Sequence, residues 1–338
     1  MRAVAVADPS QIAEARREAG QAAAAIAFNA TDVGRVALVA SELTTNLIKH
    51  AGGGELLIGG YDDPTGTGIE LIALDKGPGI GNLRSCLEDG YSSAGTAGHG
   101  LGAIRRQSQA MEVVSWQGLG TVVLARLAAG AKAIDGRKRR PAWGSACVAL
   151  EGQEVCGDAC AVADTCAGRT LIIADGIGHG AEAAMASSEA IRLFQRHQSR
   201  SVAEILDYLH AGLRATRGAA VAVARFEHER GEVVYGGIGN IAGVVVSSTG
   251  MRRMISLNGT AGHVARRVQT FDYPYSDGVV VMYSDGLATN WSLDRYPGLL
   301  QAHPSLIAAV LYRDFGRRRD DVTVLVASAA AAGTEVDA

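Results

Sequence analysis

The sequence predicts two folded halves of different class, an α/β half followed by an α+β half. Three observations carry this. The 338 residues exceed the usual size of one domain. A short basic stretch, 129–141, carries five basic side chains and one acidic, and it divides two mildly acidic flanks. Residues 1–128 hold 10 basic and 13 acidic side chains, and residues 142–338 hold 17 and 21. The element pattern also changes there, from helices alternating with strands to many short strands with a few grouped helices. The expected boundaries are 1–128, a linker at 129–142, a second domain at 143–328 and a disordered tail at 329–338.

In the first half an alanine-rich amphipathic helix is expected near Gln11–Ala27. A second follows, capped by Thr31 or Asp32, with Val33, Val36, Ala37, Leu43, Leu47 and Ile48 at helical spacing. Glycines 52–54 end it. Strands near Glu55–Tyr61 and Gly68–Leu74 come next, then glycine-rich loops and a helix near Leu101–Ala110. A hairpin closes this half, Met111–Trp116 and Thr121–Leu127, and the whole reads as helices against a mixed sheet. In the second half strands are expected near 145–150, 156–163, 169–174, 219–226, 232–237, 241–247 and 279–283, with helices at 181–197, 201–215 and 304–314.

Composition narrows the function. Apolar residues make up 48%, ample for packed cores, which excludes a disordered chain. The 43 glycines are about 13% of the chain, nearly double the ordinary ~7%, and follow no collagen period or repeat. They therefore mark particular backbone positions. Two acidic halves argue against nucleic acid as the main partner, and the run Arg137–Arg140 reads as a solvated linker. No apolar run approaches the roughly 18 residues of a membrane span, and Arg126 interrupts the nearest candidate. The start, MRAVAVADPS, lacks a signal-peptide core, so a cytoplasmic protein is expected. Five cysteines, an odd number, fit a reducing compartment. Cys156, Cys160 and Cys166 match no zinc spacing and read as small buried residues.

The segment SELTTNLIKHA, 41–51, is the first that carries chemistry. On a helix Glu42, Asn46 and Lys49 or His50 fall at i, i+4 and i+7 or i+8, on one face. An acid, an amide and a cation in one column suit a magnesium–phosphate site. Next, ILIALDKGPGIGN delivers Asp75 at a strand end, followed by Gly77, Gly79 and Gly81. Asp75 can accept from the exocyclic amine of adenine, while the glycines let backbone approach the ring. Third, GTAGHGLGAI, 95–104, is a glycine-rich loop opening a helix, an anion cradle that fits neither the P-loop nor a Rossmann pattern.

These three motifs in this order resemble the GHKL ATPase/kinase superfamily, and within it the small serine/threonine switch kinases (RsbT type) that phosphorylate STAS-domain proteins of the stressosome. The resemblance covers about 1–128. It implies a Bergerat ATP-binding α/β sandwich with ATP and magnesium as cofactors. It further implies Asn46 as magnesium ligand, Glu42 as base, Asp75 as adenine anchor and Lys49 as a phosphate contact. Gly77 and Gly79 would line the adenine pocket, and Gly98, Gly100 and Gly102 the phosphate loop. With no upstream dimerising helix bearing an acceptor histidine, a sensor histidine kinase is not expected.

Four carboxylates stand out in the second half: Asp158 in CGDAC, Asp175 in LIIADGIGHG, Asp285 in VMYSDGL and Asp320 in RRRDDVTVLV. An apolar strand delivering a carboxylate into a loop is a costly place for charge unless something compensates it. Several converging carboxylates favour hard divalent cations. GDAC, ADGIGHGAEAAMAS, GGIGN, GTAGH, MYSDGL and DDVTVL resemble, in order, the metal-dependent protein phosphatases of the PPM superfamily, in its SpoIIE-like branch (RsbX type), over about 144–327. The resemblance implies an α-β-β-α sandwich holding two manganese or magnesium ions. Asp175 would bridge them, the Gly176 carbonyl would help hold one, and Asp285 and Asp320 the other, with Asp158 a ligand or a neighbour of one. Asp321 is the alternative to Asp320. His179 and His263 are open between catalytic and structural roles. The reaction implied is in-line hydrolysis of phosphoserine or phosphothreonine without a phosphoenzyme.

The combined expectation is a bifunctional partner-switching regulator, phosphorylating a STAS-domain protein with ATP and removing the same or a related phosphate. The alternative is an ATP-binding docking module, sequestering a sigma factor or a downstream phosphatase, fused to a phosphatase that is the only active enzyme.

Overall fold

The computed structural model describes residues 1–83, 100–130, 143–166, 168–265 and 268–329. The basic run 137–140, the tail from 330, and Gly95 and Gly98 of the third nucleotide motif lie outside them. The chain divides into two compact units, Met1–Pro141 with Leu293–Val310, and Ala142–Ser292 with Leu311–Ala338.

In the first unit, strands β1 (Arg2–Val6), β2 (Gly54–Asp63), β3 (Gly66–Leu74), β4 (Ala110–Trp116) and β5 (Gly120–Ala128) form one sheet in the order β1-β2-β3-β5-β4. Every pairing is antiparallel, so the expected mixed sheet is corrected. The cause is local: β2–β3 and β4–β5 are joined by short glycine turns, which admit only antiparallel neighbours. The edge strand β1 was not foreseen, because alternating Val and Ala at the chain start is too short a pattern to separate from a coil. Helices α1 (Ser10–Ala25) and α2 (Ala30–Asn46) pack on one face. Ala15, Ala19 and Ala23 of α1 and Val36, Val39, Ala40 and Leu43 of α2 meet Leu56, Ile58, Ile69, Leu71 and Leu127 there.

The cap of α2 is Asn29, not Thr31 or Asp32. The Asn29 Oδ1 accepts from the Asp32 amide at 2.9 Å, and the Asp32 carboxylate accepts from the Gly130 amide at 2.9 Å. After Asn46 the helix widens into a π-turn, Leu47–Ala51, ended by Gly52 at φ 74°. A third helix, α3, spans Gly100–Gln107.

The second face of this sheet is buried as well. Leu57, Glu70, Ile72, Leu74, Val122, Leu124 and Arg126 alternate with the helix-facing set, and all are buried. Residues 293–310 meet it. Tyr296 stacks edge-on against Trp116 at 5.0 Å, the Trp116 indole donates to the Pro297 carbonyl at 3.1 Å, and Ser305 Oγ donates to Glu70 at 3.1 Å.

In the second unit, strands β6 (Trp143–Val148), β7 (Asp158–Thr165), β8 (Gly168–Gly176), β9 (Ala219–Glu227), β10 (Glu232–Ile238), β11 (Ala242–Ser247), β12 (Gly250–Met254), β15 (Phe271–Pro274), β16 (Val279–Tyr283) and β17 (Val322–Ala327) make two five-stranded antiparallel sheets. Their orders are β15-β10-β9-β8-β7 and β12-β11-β16-β17-β6. A small ribbon, β13 (Gly259–Thr260) with β14 (Val264–Ala265), belongs to neither sheet but packs beside β9, where Ala219 and Ala261 form a bridge. The sheets share a core of Leu171, Ile173, Ala222, Tyr235, Val245, Met282 and Leu325. Helices α4 (Ala181–His197) and α5 (Val202–Gly212) cover the outside of the first sheet through Phe194, Ile205, Leu206 and Leu209. Helix α6 (Pro304–Phe315) is apolar all round, with Leu306 to Leu311 buried. Among the described residues no helix is long and apolar enough to cross a membrane.

Candidate functional site

Two sites emerge, one in each unit. In the first, α2 carries Glu42 and Asn46 one turn apart, both half-buried, while its apolar face lies on the sheet. Gly100, opening α3, abuts Asn46: a Cβ there would stand 3.0 Å from the Asn46 Oδ1. The helix column and the third glycine motif therefore meet. Lys49 and His50 are exposed on the π-turn, whose wider pitch displaces them from the i+7 and i+8 places of a regular helix.

Asp75, at the end of β3, is held rigidly. Its Oδ1 accepts from the amides of Gly77 at 2.8 Å and Thr121 at 3.1 Å. Gly77 packs against Ala51 with no room for a Cβ, so the aspartate loop abuts the end of the π-turn. Gly79 has φ +76° and presses on the Trp116 carbonyl. Gly102 is buried within α3, and Gly98 lies outside the described residues. Asn46 thus stands beside Gly100, and the Asp75 loop stands beside the π-turn that follows Asn46, which brings one anchored carboxylate, one amide and closely approached backbone to neighbouring loops. That donor set fits an adenine nucleotide.

In the second unit, Asp158 begins β7 and Asp175 closes β8, and the strand register places them directly opposite each other. Two carboxylates in one cross-strand pair repel. Burial first, and the Asp175 charge second, push the Asp158 carboxyl well above the usual range. Burial, then Asp285 and Asp320, do the same to Asp175. The Asp285 carboxyl is raised too, by burial and then by Asp320. The four aspartates named from the sequence therefore share one end of the sandwich. No three carboxylate, thiol or imidazole groups among the described residues stand close enough to close a metal shell by themselves. The donor set is nevertheless hard and acidic, with Arg317 close enough to offset part of the Asp285 charge, and it fits divalent cations.

Two polar side chains without an assigned role orient these groups. Ser284 Oγ donates to Asp158 Oδ2 at 2.6 Å, and the Asn240 amide donates to Asp285 Oδ2 at 2.8 Å. Their signal was present in MYSDGL and GGIGN, as polar residues beside the glycine or aspartate of each motif. Asp320 and Asp321 differ sharply. Asp321 is buried, and its two carboxylate oxygens accept from the amides of Leu150 at 2.7 Å and Gly157 at 2.8 Å. Asp320 is exposed and its Oδ1 accepts from the Asp321 amide at 2.9 Å. Gly176 is buried and leaves no room for a side chain against Ala183. His179 is exposed, and the His263 ring meets the Thr216 carbonyl at 3.1 Å. Glu182 and Arg217 form an ion pair beside this end, both largely exposed, so it adds little stability.

The cysteine expectation is corrected. Cys166 is exposed, and Cys156 and Cys160 are half-buried. The neighbour of Cys156 is Cys147, nine positions earlier, with the two sulfurs 3.6 Å apart. Sequence spacing missed this pair because Cys147 lies on β6 and Cys156 in the loop that folds back to lead into β7.

Comparison with known proteins finds two family models along the chain, the second of which also spans the segment Leu293–Val310 that the structure groups with the first unit. Residues 5–127 match the family model of the histidine kinase-like ATPase domain, and residues 167–330 that of stage II sporulation protein E (SpoIIE). Over 114 residues, 34% of this chain and 86% of the relative, it is 34% identical to the serine/threonine-protein kinase RsbT of Bacillus subtilis (strain 168). Over 139 residues, 40% of this chain and 70% of the relative, it is 23% identical to the phosphoserine phosphatase RsbX of the same organism. A solved structure described as part of the bacterial stressosome, a modular system adapted to control secondary messenger signaling, aligns with TM-score 0.51 and 30% identity. That alignment covers 55% of this chain and 98% of the other.

Proposed function

Because this chain belongs to the histidine kinase-like ATPase family over residues 5–127 and to the SpoIIE family over residues 167–330, we propose that it is a bifunctional partner-switching regulator. The first unit transfers phosphate from ATP to a serine or threonine of a STAS-domain protein. The second hydrolyses the same or a related phosphoester. The observation that carries this reading is the facing pair Asp158 and Asp175, joined at one end of the sandwich by Asp285 and Asp320. A fold keeps mutually repelling carboxylates together when it has a cation to hold.

In the kinase unit, the exocyclic amine of adenine donates to the Asp75 carboxylate, which the Gly77 and Thr121 amides hold in place. The Asn46 amide oxygen would hold magnesium, and Lys49 offers a positive charge from the exposed turn. Glu42, one turn before Asn46, accepts the proton of the attacking hydroxyl. Gly100, opening α3 beside Asn46, offers its backbone to the phosphates, while Gly102 lies buried within that helix rather than in a loop.

In the phosphatase unit, Asp158, Asp175, the Gly176 carbonyl, Asp285 and Asp320 are the residues that would hold two manganese or magnesium ions. When bound, these cations supply charge neutralisation at the phosphoryl oxygens and an activated water. Ser284 fixes the Asp158 carboxylate and Asn240 that of Asp285, so both donors are set before substrate arrives. Asp321 shapes the neighbouring loop through Leu150 and Gly157, which leaves Asp320 as the ligand of the two.

The test uses a purified STAS-domain protein as substrate. With ATP and magnesium, the Asp175→Asn variant should phosphorylate it on serine or threonine, and the Asn46→Ala variant should not. With manganese, the parent should release that phosphate and Asp175→Asn should not. Transfer by Asn46→Ala at the parent rate contradicts the kinase reading, and release by Asp175→Asn at the parent rate contradicts the phosphatase reading. Binding of the STAS-domain protein without transfer by any variant favours the docking alternative.

A further inference from the structure

We propose that Cys147 and Cys156 form a peroxide-responsive dithiol whose disulfide lowers the affinity of the adjacent carboxylate end for divalent cations. The proposal rests on the metal-site reading given above. The sulfurs are 3.6 Å apart, within reach of one another before any backbone moves. Both residues are half-buried, with the Cys147 thiol the more enclosed of the two, so the surrounding structure holds the pair in place and a small oxidant such as a peroxide is the kind that suits it. Cys147 lies on β6 of one sheet, and Cys156 immediately precedes Gly157 and Asp158 at the start of β7 in the other. A bond between them therefore ties β6 to the loop that leads into β7 and Asp158.

The coupling to the site is short. Cys147 Sγ also lies 3.6 Å from the Asp158 carbonyl. The loop between the cysteines is pinned by Asp321, which accepts from Leu150 at 2.7 Å and from Gly157 at 2.8 Å. Gly157 has no free volume, since a Cβ there would stand 2.7 Å from Asp321 and 2.9 Å from Ala183. A disulfide draws the sulfurs to about 2.05 Å, a contraction of roughly 1.5 Å. Packing this tight passes such a shift on rather than absorbing it. Asp158, next in the chain, then turns away from its partner Asp175.

The oxidant is a peroxide. One thiolate attacks a peroxide oxygen, giving a sulfenic acid and hydroxide. The second thiol then displaces water from the sulfenic sulfur and forms the S–S bond. Two electrons and two protons leave the thiols, and hydrogen peroxide becomes two waters. A thiol reductant reverses the step.

The full-length protein is treated with hydrogen peroxide. Peptide mass mapping should show a Cys147–Cys156 cross-link, and calorimetric titration with manganese alone should show at least a fivefold weaker Kd. Dithiothreitol should restore both. Cys156→Ser and Cys147→Ser should each abolish the peroxide response, and Cys166→Ser should keep it. Absence of the cross-link, or a cross-link with an unchanged manganese Kd, overturns the proposal. Reduced protein that binds no manganese would contradict the metal reading and with it this linkage. Manganese binding without phosphate hydrolysis would contradict only the phosphatase activity.

Discussion

Gly79 shows how much a single residue contributes to the nucleotide cradle. Its φ of +76° is a region that side-chain-bearing residues enter at a cost, and a Cβ would be driven into the Trp116 carbonyl. Gly79→Ala should therefore destabilise the first unit by about 1–3 kcal/mol and weaken ATP binding at least tenfold, measured by titration calorimetry. Unchanged ATP affinity would remove Gly79 from the pocket. Asp320 and Asp321 offer a second comparison. Asp320→Asn should weaken manganese binding with little change in Tm. Asp321→Asn should lower Tm, because it breaks charge-assisted bonds to Leu150 and Gly157 in a buried setting. The opposite ranking would exchange their roles. The sequence left these neighbours open because a motif fixes position along the chain, not which side chain the fold buries.

At the scale of elements, β5 brings Arg126 into the buried second face of its sheet. Its guanidinium meets Glu70 and Asp63, each at 2.6 Å, and lies 4.4 Å from the centre of the Tyr61 ring. Burial opposes its charge, but Glu70 and then Asp63 hold the guanidinium protonated. Arg126→Leu leaves two carboxylates buried without a cation, and should cost about 3–5 kcal/mol in denaturant unfolding. A loss below ~1 kcal/mol would mean that this face is wet.

Helix α6 gives a pH prediction. His303 precedes its first residue, and its Nδ1 accepts from the Ser305 amide at 3.1 Å. Burial, and then Arg126, push the His303 pKa well below the usual imidazole range, so the folded protein keeps it neutral. The unfolded chain takes up a proton below about pH 6.5. Stability from this group is therefore present above that pH and falls below it, by up to about 1.4 kcal/mol per pH unit. His303→Asn keeps an acceptor at the helix start without titrating. It should flatten the fall between pH 6.5 and 5 relative to the parent, and parallel curves would contradict this.

Most elements were legible because their apolar periodicity is local. α1, α4 and the hairpins fall within a few residues of expectation. What was not legible depended on tertiary partners. The runs LLIGG, IELIAL and VVLARL lack the alternation of a half-exposed sheet. That pattern meant two buried faces, yet nothing in it identified 293–310 as a segment meeting the second one. Likewise, Ser284 and Asn240 were visible as motif letters but not as the hydrogen bonds that aim Asp158 and Asp285.

For the whole molecule, fusion places a proposed kinase and a proposed phosphatase at a fixed stoichiometry and a high local concentration near one substrate. The glycine excess acquires a meaning at this scale, because both cradles need backbone where a side chain would collide: Gly77, Gly79 and Gly100 in one, Gly157, Gly176 and Gly286 in the other. The most direct measurement follows phosphate on a single STAS-domain protein through both reactions in one vessel. ATP and magnesium are added first, then ATP is removed and manganese supplied. The account predicts that phosphate on serine or threonine rises and then falls with the parent, rises and stays with Asp175→Asn, and never rises with Asn46→Ala. Phosphate that never rises with Asp175→Asn, or that falls equally with it and with the parent, would contradict the pairing of opposed enzymes in one chain.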